Sequence, residues 1–331
     1  MKVLFYCDAS SLSGYGHLRR CLYLANHWLN KQGDQKQVYF SGNLSKKAKE
    51  VIQTFCNTAI LVKEDSDHCL FDLIVIDTLF DHFDPDFYDV SAIAKLTKLA
   101  KKSLLIASSR TIPSNLPVNT VISYLIDKVK DPSYELLQGL DYAPVDQSVK
   151  QYRKIPDISE EIKSIFIGIG SWKDPNIILL ILDTLQKSRA NGKINLLLSP
   201  EHNEFWNKNK NAYNLLNLEV HQNVPSVYEL VIQSDLIIGS YGNLTYEALA
   251  LGVPFVSIGL KSFQVEYSKL LASKGFIYFL GDVESVNEPK IEHMLAILNK
   301  EKRSSMVNAG YSSVDGQGLF RIVEVMNRML Q

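Results

Sequence analysis

The chain has 331 residues, 46% of them hydrophobic and 21% charged, with 35 basic against 36 acidic side chains and a formal net charge of −1. That length suits two α/β domains, and so even a charge balance supplies no basic field for general nucleic-acid binding. The four cysteines, Cys7, Cys21, Cys56 and Cys69, form no CxxC pair; this spacing argues against a zinc site or a disulfide framework and for a reduced, cytoplasmic setting.

In chain order, the first predicted strand is Val3–Cys7. The apolar run around it is too short for a signal peptide and ends at Asp8. No run approaches the roughly 18 to 20 apolar residues of a membrane span. A turn rich in small residues follows, Asp8-Ala9-Ser10-Ser11-Leu12-Ser13-Gly14-Tyr15-Gly16-His17-Leu18-Arg19-Arg20, opening a helix predicted over Leu18–Leu29. Gly14 and Gly16 permit a tight turn and close backbone approach. A helix start offers N–H groups and a partial positive charge to phosphate or a developing anion. It also disfavours an imidazolium, so His17, expected at an exposed loop end, is placed to act as a base near neutral pH. Position 19 is Arg, where a dinucleotide fingerprint wants Gly. A capped turn with a structural histidine is the plainer alternative.

The next predicted strand is Leu73–Ile76. Asp77, Asp81, Asp84 and Asp86 follow it with no metal-loop spacing, and helix capping accounts for Asp84 or Asp86. Lys95, Lys98, Lys101 and Lys102 read as one helix face opposite Ile93, Leu96 and Leu99. That face is a candidate for weak peripheral contact with anionic lipid, although a solvated helix face is the simpler reading. Leu104–Ala107 is a further strand.

Asp141–Asp157 is polar, contains Pro144 and Pro156 and lacks a strand or helix period. It places a boundary between a domain over 1–150 and one over 151–331, whose last helix is expected to pack back on the first. The pattern then restarts: strand Ile165–Ile169, turn Gly170-Ser171-Trp172-Lys173-Asp174-Pro175, and a helix over Asn176–Lys187 with Pro175 in its first turn after an Asp174 cap. Ile194–Leu198 and Leu236–Gly239 are buried strands. After the latter comes Ser240-Tyr241-Gly242-Asn243-Leu244-Thr245-Tyr246-Glu247, leading into a helix over Leu244–Leu251. Backbone amides from Ser240 to Thr245 are suited to a diphosphate without a metal. Glu247, just inside the helix, is suited to ribose hydroxyls, or is simply an acid favoured by the dipole of a first turn. Strand Phe255–Ile258 precedes Lys261-Ser262-Phe263-Gln264 and a helix over Val265–Ala272; Gln264 is the cleft candidate there. His68, His82, His202, His221 and His293 show no paired metal spacing. Strands alternating with helices predict doubly wound parallel sheets, with ligands beyond the carboxyl ends of the strands.

Four segments carry a resemblance: "MKVLFYCDASSLSGYGHLRRCLYLA", "GIGSWKDPN", "GSYGNLTYEALALGVPF" and "VDGQGLFRI". With them the chain resembles, over nearly its whole length, the UDP-sugar hydrolases of pseudaminic acid biosynthesis and the related spore-coat polysaccharide proteins, the PseG/SpsG group. It is more distantly similar to the glycosyltransferase that makes lipid II. The resemblance implies a GT-B fold, two Rossmann-like domains facing a cleft, with UDP held by the C-terminal one and neither metal nor redox cofactor. It puts the family's essential histidine on His17 and the nucleotide loop on Ser240, Gly242, Asn243, Thr245 and Glu247. Gly14, Gly16, Arg20, Gly170, Ser171 and Gln264 complete the candidate substrate and nucleotide contacts, with Asp8 and Asp77 on the sugar side. The hydrolases usually carry Asp-His-Tyr where this chain has Asp77-Thr78-Leu79, and a paired-aspartate segment corresponds to Ser108-Ser109. The expectation is therefore inverting attack at the anomeric carbon of a UDP-sugar, with an amino-deoxy sugar of surface glycan synthesis implied. Water, an acceptor hydroxyl, or binding without catalysis give a hydrolase, a glycosyltransferase or a sensor.

Overall fold

The computed structural model describes residues 1–10, 15–30, 35–62, 71–81, 84, 87–107, 111–124, 129–170, 174–188, 192–224 and 226–331. They form two compact units, one of 1–147 with 316–331 and one of 148–315.

In the first unit the elements run β1 (Lys2–Cys7), α1 (Gly16–Leu29), β2 (Gln37–Ser41), α2 (Lys46–Phe55), β3 (Ile60–Leu61), β4 (Phe71–Asp77), α3 (Val90–Thr97), β5 (Ala100–Ala107), β6 (Thr120–Ser123) and β7 (Glu135–Gln138). The seven strands make one sheet in the order β3-β2-β1-β4-β5-β6-β7, every pairing parallel. β1 and β4 are central, and nearly all their side chains are buried. Two covered faces are the environment in which a continuous apolar strand is stable. Phe5 and Phe40 stack between neighbouring strands at 5.4 Å.

The second unit contains α4 (Val149–Tyr152), β8 (Ser164–Gly168), α5 (Asn176–Lys187), β9 (Lys193–Leu197), α6 (Asn203–Asn209), β10 (Asn217–His221), α7 (Tyr228–Ile232), β11 (Leu236–Ser240), α8 (Asn243–Leu251), β12 (Phe255–Gly259), α9 (Ser262–Ser273), β13 (Tyr278–Asp282), α10 (Glu288–Ile297) and α11 (Lys300–Ser313). Its six parallel strands are ordered β10-β9-β8-β11-β12-β13. Arg153 ties α4 into this unit: its guanidinium donates to the carbonyls of Ala250, Val314 and Tyr311 and lies 3.5 Å from the Tyr311 ring centroid.

The last helix, α12 (Gly318–Leu330), belongs to the first unit. Leu319, Ile322, Val323 and Met326 form its buried stripe at helical spacing. Asn327 accepts from the Trp28 indole N–H of α1 at 3.1 Å.

Several sequence-based expectations are corrected. β2, β3, β6, β7, β10 and β13 were not anticipated. β3, β7 and β10 are partly exposed strands with polar or very short sequences, which blunt the apolar signal as sheet margins commonly do. Lys101 and Lys102 are not helical: they begin β5, and Lys101 pairs with Asp72 at 2.8 Å. The expected four-lysine helix face is therefore absent. The cap of α3 is Asp89, accepting from Ala92 N–H, not Asp84; Asp86 lies outside the described residues. Pro175 occupies the cap position of α5 rather than its first turn, and Asp174 accepts from Asn176 N–H. The 141–157 stretch is not wholly irregular, since it overlaps a 3₁₀ turn at Leu140–Tyr142 and contains α4.

Candidate active site

In each sheet the chain winds outward in both directions from one point, between β1 and β4 in the first unit and between β8 and β11 in the second. At such a switch point the loops leaving adjacent strands diverge, and a crevice opens beyond their carboxyl ends.

In the first unit, Cys7 at the end of β1 lies beside Asp77 at the end of β4. α1 begins at Gly16 and brings His17 and Arg20, three residues apart and so on one helical face, onto Asp77. His17 Nδ1 is 2.7 Å from Asp77 Oδ1. Arg20 grips the same carboxylate twice, Nε donating to Oδ2 at 2.8 Å and Nη2 to Oδ1 at 2.5 Å. Asp77 is fully buried, while Arg20 and His17 are 5% and 6% exposed.

Arg20 Nη2 also lies 2.7 Å from His17 Nδ1, so these two nitrogens and Oδ1 form a close triangle. Only the oxygen can accept from both others. A guanidinium has no acceptor, and an ionised carboxylate has no proton to give. The arrangement is satisfied when Nη2–H and Nδ1–H converge on Oδ1. The alternative, with Nδ1 accepting from Arg20, would press its lone pair's neighbour Oδ1 against an unprotonated nitrogen. In a neutral ring the tautomer that satisfies the Asp77 contact carries its proton on Nδ1 and its lone pair on Nε2.

Burial is the largest influence on Asp77 and pushes its pKa up, but Arg20 and His17 outweigh it through charge and hydrogen bonding and lower the carboxyl to about 2. Burial likewise opposes the charge of Arg20, yet Asp77 and Tyr124 keep its pKa above the usual arginine value. The Tyr124 ring centroid lies 6.0 Å from the guanidinium carbon.

His17 is thus a buried helical residue, not the exposed loop end expected from sequence. Asp8 is also buried, and its Oδ1 accepts from Ser10 N–H at 3.1 Å. Gly16 is the first residue of α1, and a side chain there would meet nothing within 4 Å. Gly14 and Ser108-Ser109 lie outside the described residues.

In the second unit, Gly168 and Gly239 are paired across β8 and β11. A Cβ on Gly168 would lie 2.7 Å from the Leu244 side chain, so glycine there lets α8 settle onto the sheet. Gly170 N–H donates to Ser240 Oγ at 3.3 Å, joining the turns after both strands; Ser171 lies outside the described residues. Gly242 caps α8. Its N–H donates to Thr245 Oγ1 at 3.2 Å, and its carbonyl accepts from Thr245 N–H at 3.0 Å. The first-turn N–H groups of α8 face the helix start, that of Thr245 donating to the Gly242 carbonyl. They sit where the helix dipole favours an anion.

Glu247 is buried and lies in the second turn of α8, with no acid in the first. A first-turn dipole contact therefore does not account for it. Gln264 uses both ends of its amide on backbone: Oε1 accepts from Leu260 N–H at 3.0 Å, and Nε2 donates to the Tyr241 carbonyl at 2.9 Å. It braces the loop after β11. Sequence reasoning also passed over Tyr241, whose hydroxyl lies 2.6 Å from that of Tyr246. The five-residue spacing of these two aromatic residues was the available signal.

No family model matches the chain. An uncharacterized protein of Methanocaldococcus jannaschii, MJ1062, is 24% identical over 356 aligned residues, covering 99% of this chain. The chain spans 66%, just under two thirds, of that curated relative's length. Among solved structures, MurG of Acinetobacter baumannii matches with a TM-score of 0.71 at 13% identity over 99% of both chains. The glycotransferase of kitacinnamycin gives 0.69 at 12% identity over 100% of this chain and 99% of its own. The Neisseria meningitidis UDP-GlcNAc 2-epimerase, bound to UDP-GlcNAc, gives 0.63 at 13% identity over 99% of this chain and all of its own.

The fold is GT-B. Two parallel-sheet, Rossmann-like units account for the whole-length likeness, and at these identities it is the fold that is shared.

Proposed function

We propose that this GT-B chain is an enzyme that cleaves the anomeric C–O bond of a UDP-sugar with inversion, releasing UDP, and that water is the nucleophile. The observation that carries the proposal is the buried His17–Asp77 pair at the switch point of the first sheet. A histidine with Nδ1–H committed to a carboxylate presents Nε2 as a general base. In the proposed step Nε2 takes a proton from water as its oxygen bonds to the anomeric carbon. The bond from that carbon to the β-phosphate oxygen breaks, and its electron pair leaves with UDP. Asp77 stabilises the imidazolium that results.

The nucleotide is assigned to the second unit. Gly242, Asn243 and Thr245 open α8 there, beside Ser240 and Gly170, and oriented N–H groups stabilise the charge developing on the leaving diphosphate. Glu247 is the candidate for the ribose hydroxyls. Sugar, or sugar and acceptor, fall to the first unit with Asp8; Asp77, fully buried against His17 and Arg20, is not a sugar contact but acts through the ring. Two further facts support the nucleotide-sugar class: a whole-chain structural neighbour is a UDP-GlcNAc 2-epimerase bound to UDP-GlcNAc, and the opening and nucleotide-loop motifs resemble those of UDP-sugar hydrolases. That resemblance points to an amino-deoxy sugar used in polysaccharide biosynthesis in the cytoplasm.

A transferase reading competes on one observation. Thr78-Leu79 follows Asp77 where the hydrolases carry His-Tyr, directly beyond the end of β4, whose Asp77 meets His17. The deciding assay measures UDP release from a panel of UDP-sugars led by UDP-GlcNAc. Release without an acceptor is the expected result. Release only with an added acceptor hydroxyl would make the chain a glycosyltransferase, and tight binding without release would make it a nucleotide-sugar sensor.

A further inference from the structure

Sequence alone assigns Arg20 to substrate or nucleotide contact, but the structure turns its Nε and Nη2 onto Asp77. We infer that Arg20 is a positioning residue for His17. It holds the Asp77 carboxylate so that one oxygen receives the Nδ1–H, and its positive charge beside Nδ1 works against a second proton on the ring. The inference rests on the proposed role of His17 as the base.

The geometry carries it in two parts. First, the two-point grip of Nε on Oδ2 and Nη2 on Oδ1 fixes the rotation of the carboxylate in the plane of the guanidinium. A lysine would neutralise a buried aspartate equally well, but as a point charge without that fork. Oδ1, held this way, meets His17 Nδ1 at 2.7 Å. Second, a lone buried carboxylate beside a histidine favours the imidazolium. A base that is already protonated cannot accept a proton from a nucleophile. The guanidinium, with Nη2 at 2.7 Å from Nδ1, opposes that protonation directly.

Other titratable groups surround this trio. Tyr124 underlies the guanidinium, its hydroxyl pKa pushed up by burial. The buried thiols of Cys7 on β1 and Cys21 on α1 adjoin each other, and Cys21 is likewise pushed up by burial. Asp8 follows Cys7 beyond the end of the same strand. Arg20 and Asp77 are charged groups of opposite sign, each 2.7 Å from Nδ1.

The test reads the ring itself. Protein with ¹⁵N-labelled histidine is titrated from about pH 5 to about pH 9, spanning the ordinary histidine range, and followed by long-range ¹H–¹⁵N NMR. His17 is assigned from the signals lost in His17→Asn. In the wild-type protein the neutral ring is expected to carry its proton on Nδ1. Arg20→Gln, which removes the charge, is expected to raise the protonation midpoint by about one pH unit, a tenfold change in proton affinity. Arg20→Met serves the same purpose if the glutamine variant does not fold. Arg20→Lys retains the charge and is expected to move the midpoint less than half as far, while losing the fork and admitting the Nε2–H tautomer. A wild-type proton on Nε2, or a midpoint unmoved or lowered in the charge-removing variants, overturns the inference. No readout here depends on turnover. Wild-type protein that shows these titrations but releases no UDP refutes the enzymatic reading alone; normal UDP release with flat titrations refutes Arg20's role alone.

Discussion

His17 Nδ1 lies 2.7 Å from Asp77 Oδ1, although 60 positions separate the two residues in sequence. The parallel pairing of β1 with β4 makes that contact, bringing the ends of the two strands together at Cys7 and Asp77. α1 returns over the strand ends and closes it. The consequences of this arrangement can be measured separately from one another.

Asp77→Asn is expected to disable the base and weaken the fold. The amide either donates to Nδ1 and selects the wrong tautomer or leaves Arg20 without its charge partner. Loss of general-base function costs on the order of 100- to 10,000-fold in rate, and the effect should fall on kcat more than on KM. Breaking a buried ion pair from one side costs about 3–5 kcal/mol. Steady-state kinetics and urea unfolding read the two effects, and a variant with wild-type values in both would contradict this role for Asp77.

Acid should unfold the first unit partly through the same carboxyl. Its folded pKa of about 2 is below the ordinary aspartate value, so the native state binds the proton less readily than the unfolded chain. The resulting stability is present above about pH 4 and is lost as pH falls toward 2. A shift of that size corresponds to about 2–3 kcal/mol. Unfolding free energy measured across this range should fall more steeply for wild type than for Asp77→Asn. Parallel curves would show that Asp77 is not held in its charged form.

Gly242→Val should separate nucleotide binding from folding. A Cβ at Gly242 meets nothing within 4 Å, and its φ of 165° is extended backbone open to any residue. The variant should melt like wild type. Its β-branched side chain would nevertheless stand where a diphosphate approaches the start of α8, so UDP affinity by calorimetry should drop roughly tenfold or more, equivalent to at least ~1.4 kcal/mol. Wild-type binding should be insensitive to EDTA, because the proposed cradle is made of N–H groups. Unchanged UDP affinity in the variant, or a strict magnesium requirement in wild type, would remove the nucleotide from this loop.

The sequence shows the doubly wound class plainly, because β1, β4, β8, β11 and β12 are short apolar runs covered on both faces. Marginal strands such as β7 and β10 are harder to see, since half-exposed residues interrupt their apolar pattern. At the site, His17, Arg20 and Asp77 each stand out from local pattern. Their joining depends on strand order, which residue periodicity does not encode. The switch-point rule supplies it once β1 and β4 are taken as neighbours. The burial of His17 and the bracing role of Gln264 are likewise tertiary facts: each depends on what packs above a strand end.

The proposed chemistry is tested most directly by turnover of UDP-GlcNAc, or of whichever UDP-sugar the panel identifies, in ¹⁸O-water by wild type and His17→Asn. Wild type should place the label on the anomeric hydroxyl of the released sugar, with inverted configuration, and leave UDP unlabelled. His17→Asn should slow that release by on the order of 100- to 10,000-fold while UDP affinity stays near wild type. Its residual rate should lack the decline in acid that a protonatable base imposes. Label on UDP would mean cleavage at phosphorus, and near-normal labelling by His17→Asn would mean that the base is another group; either result contradicts anomeric attack driven by His17.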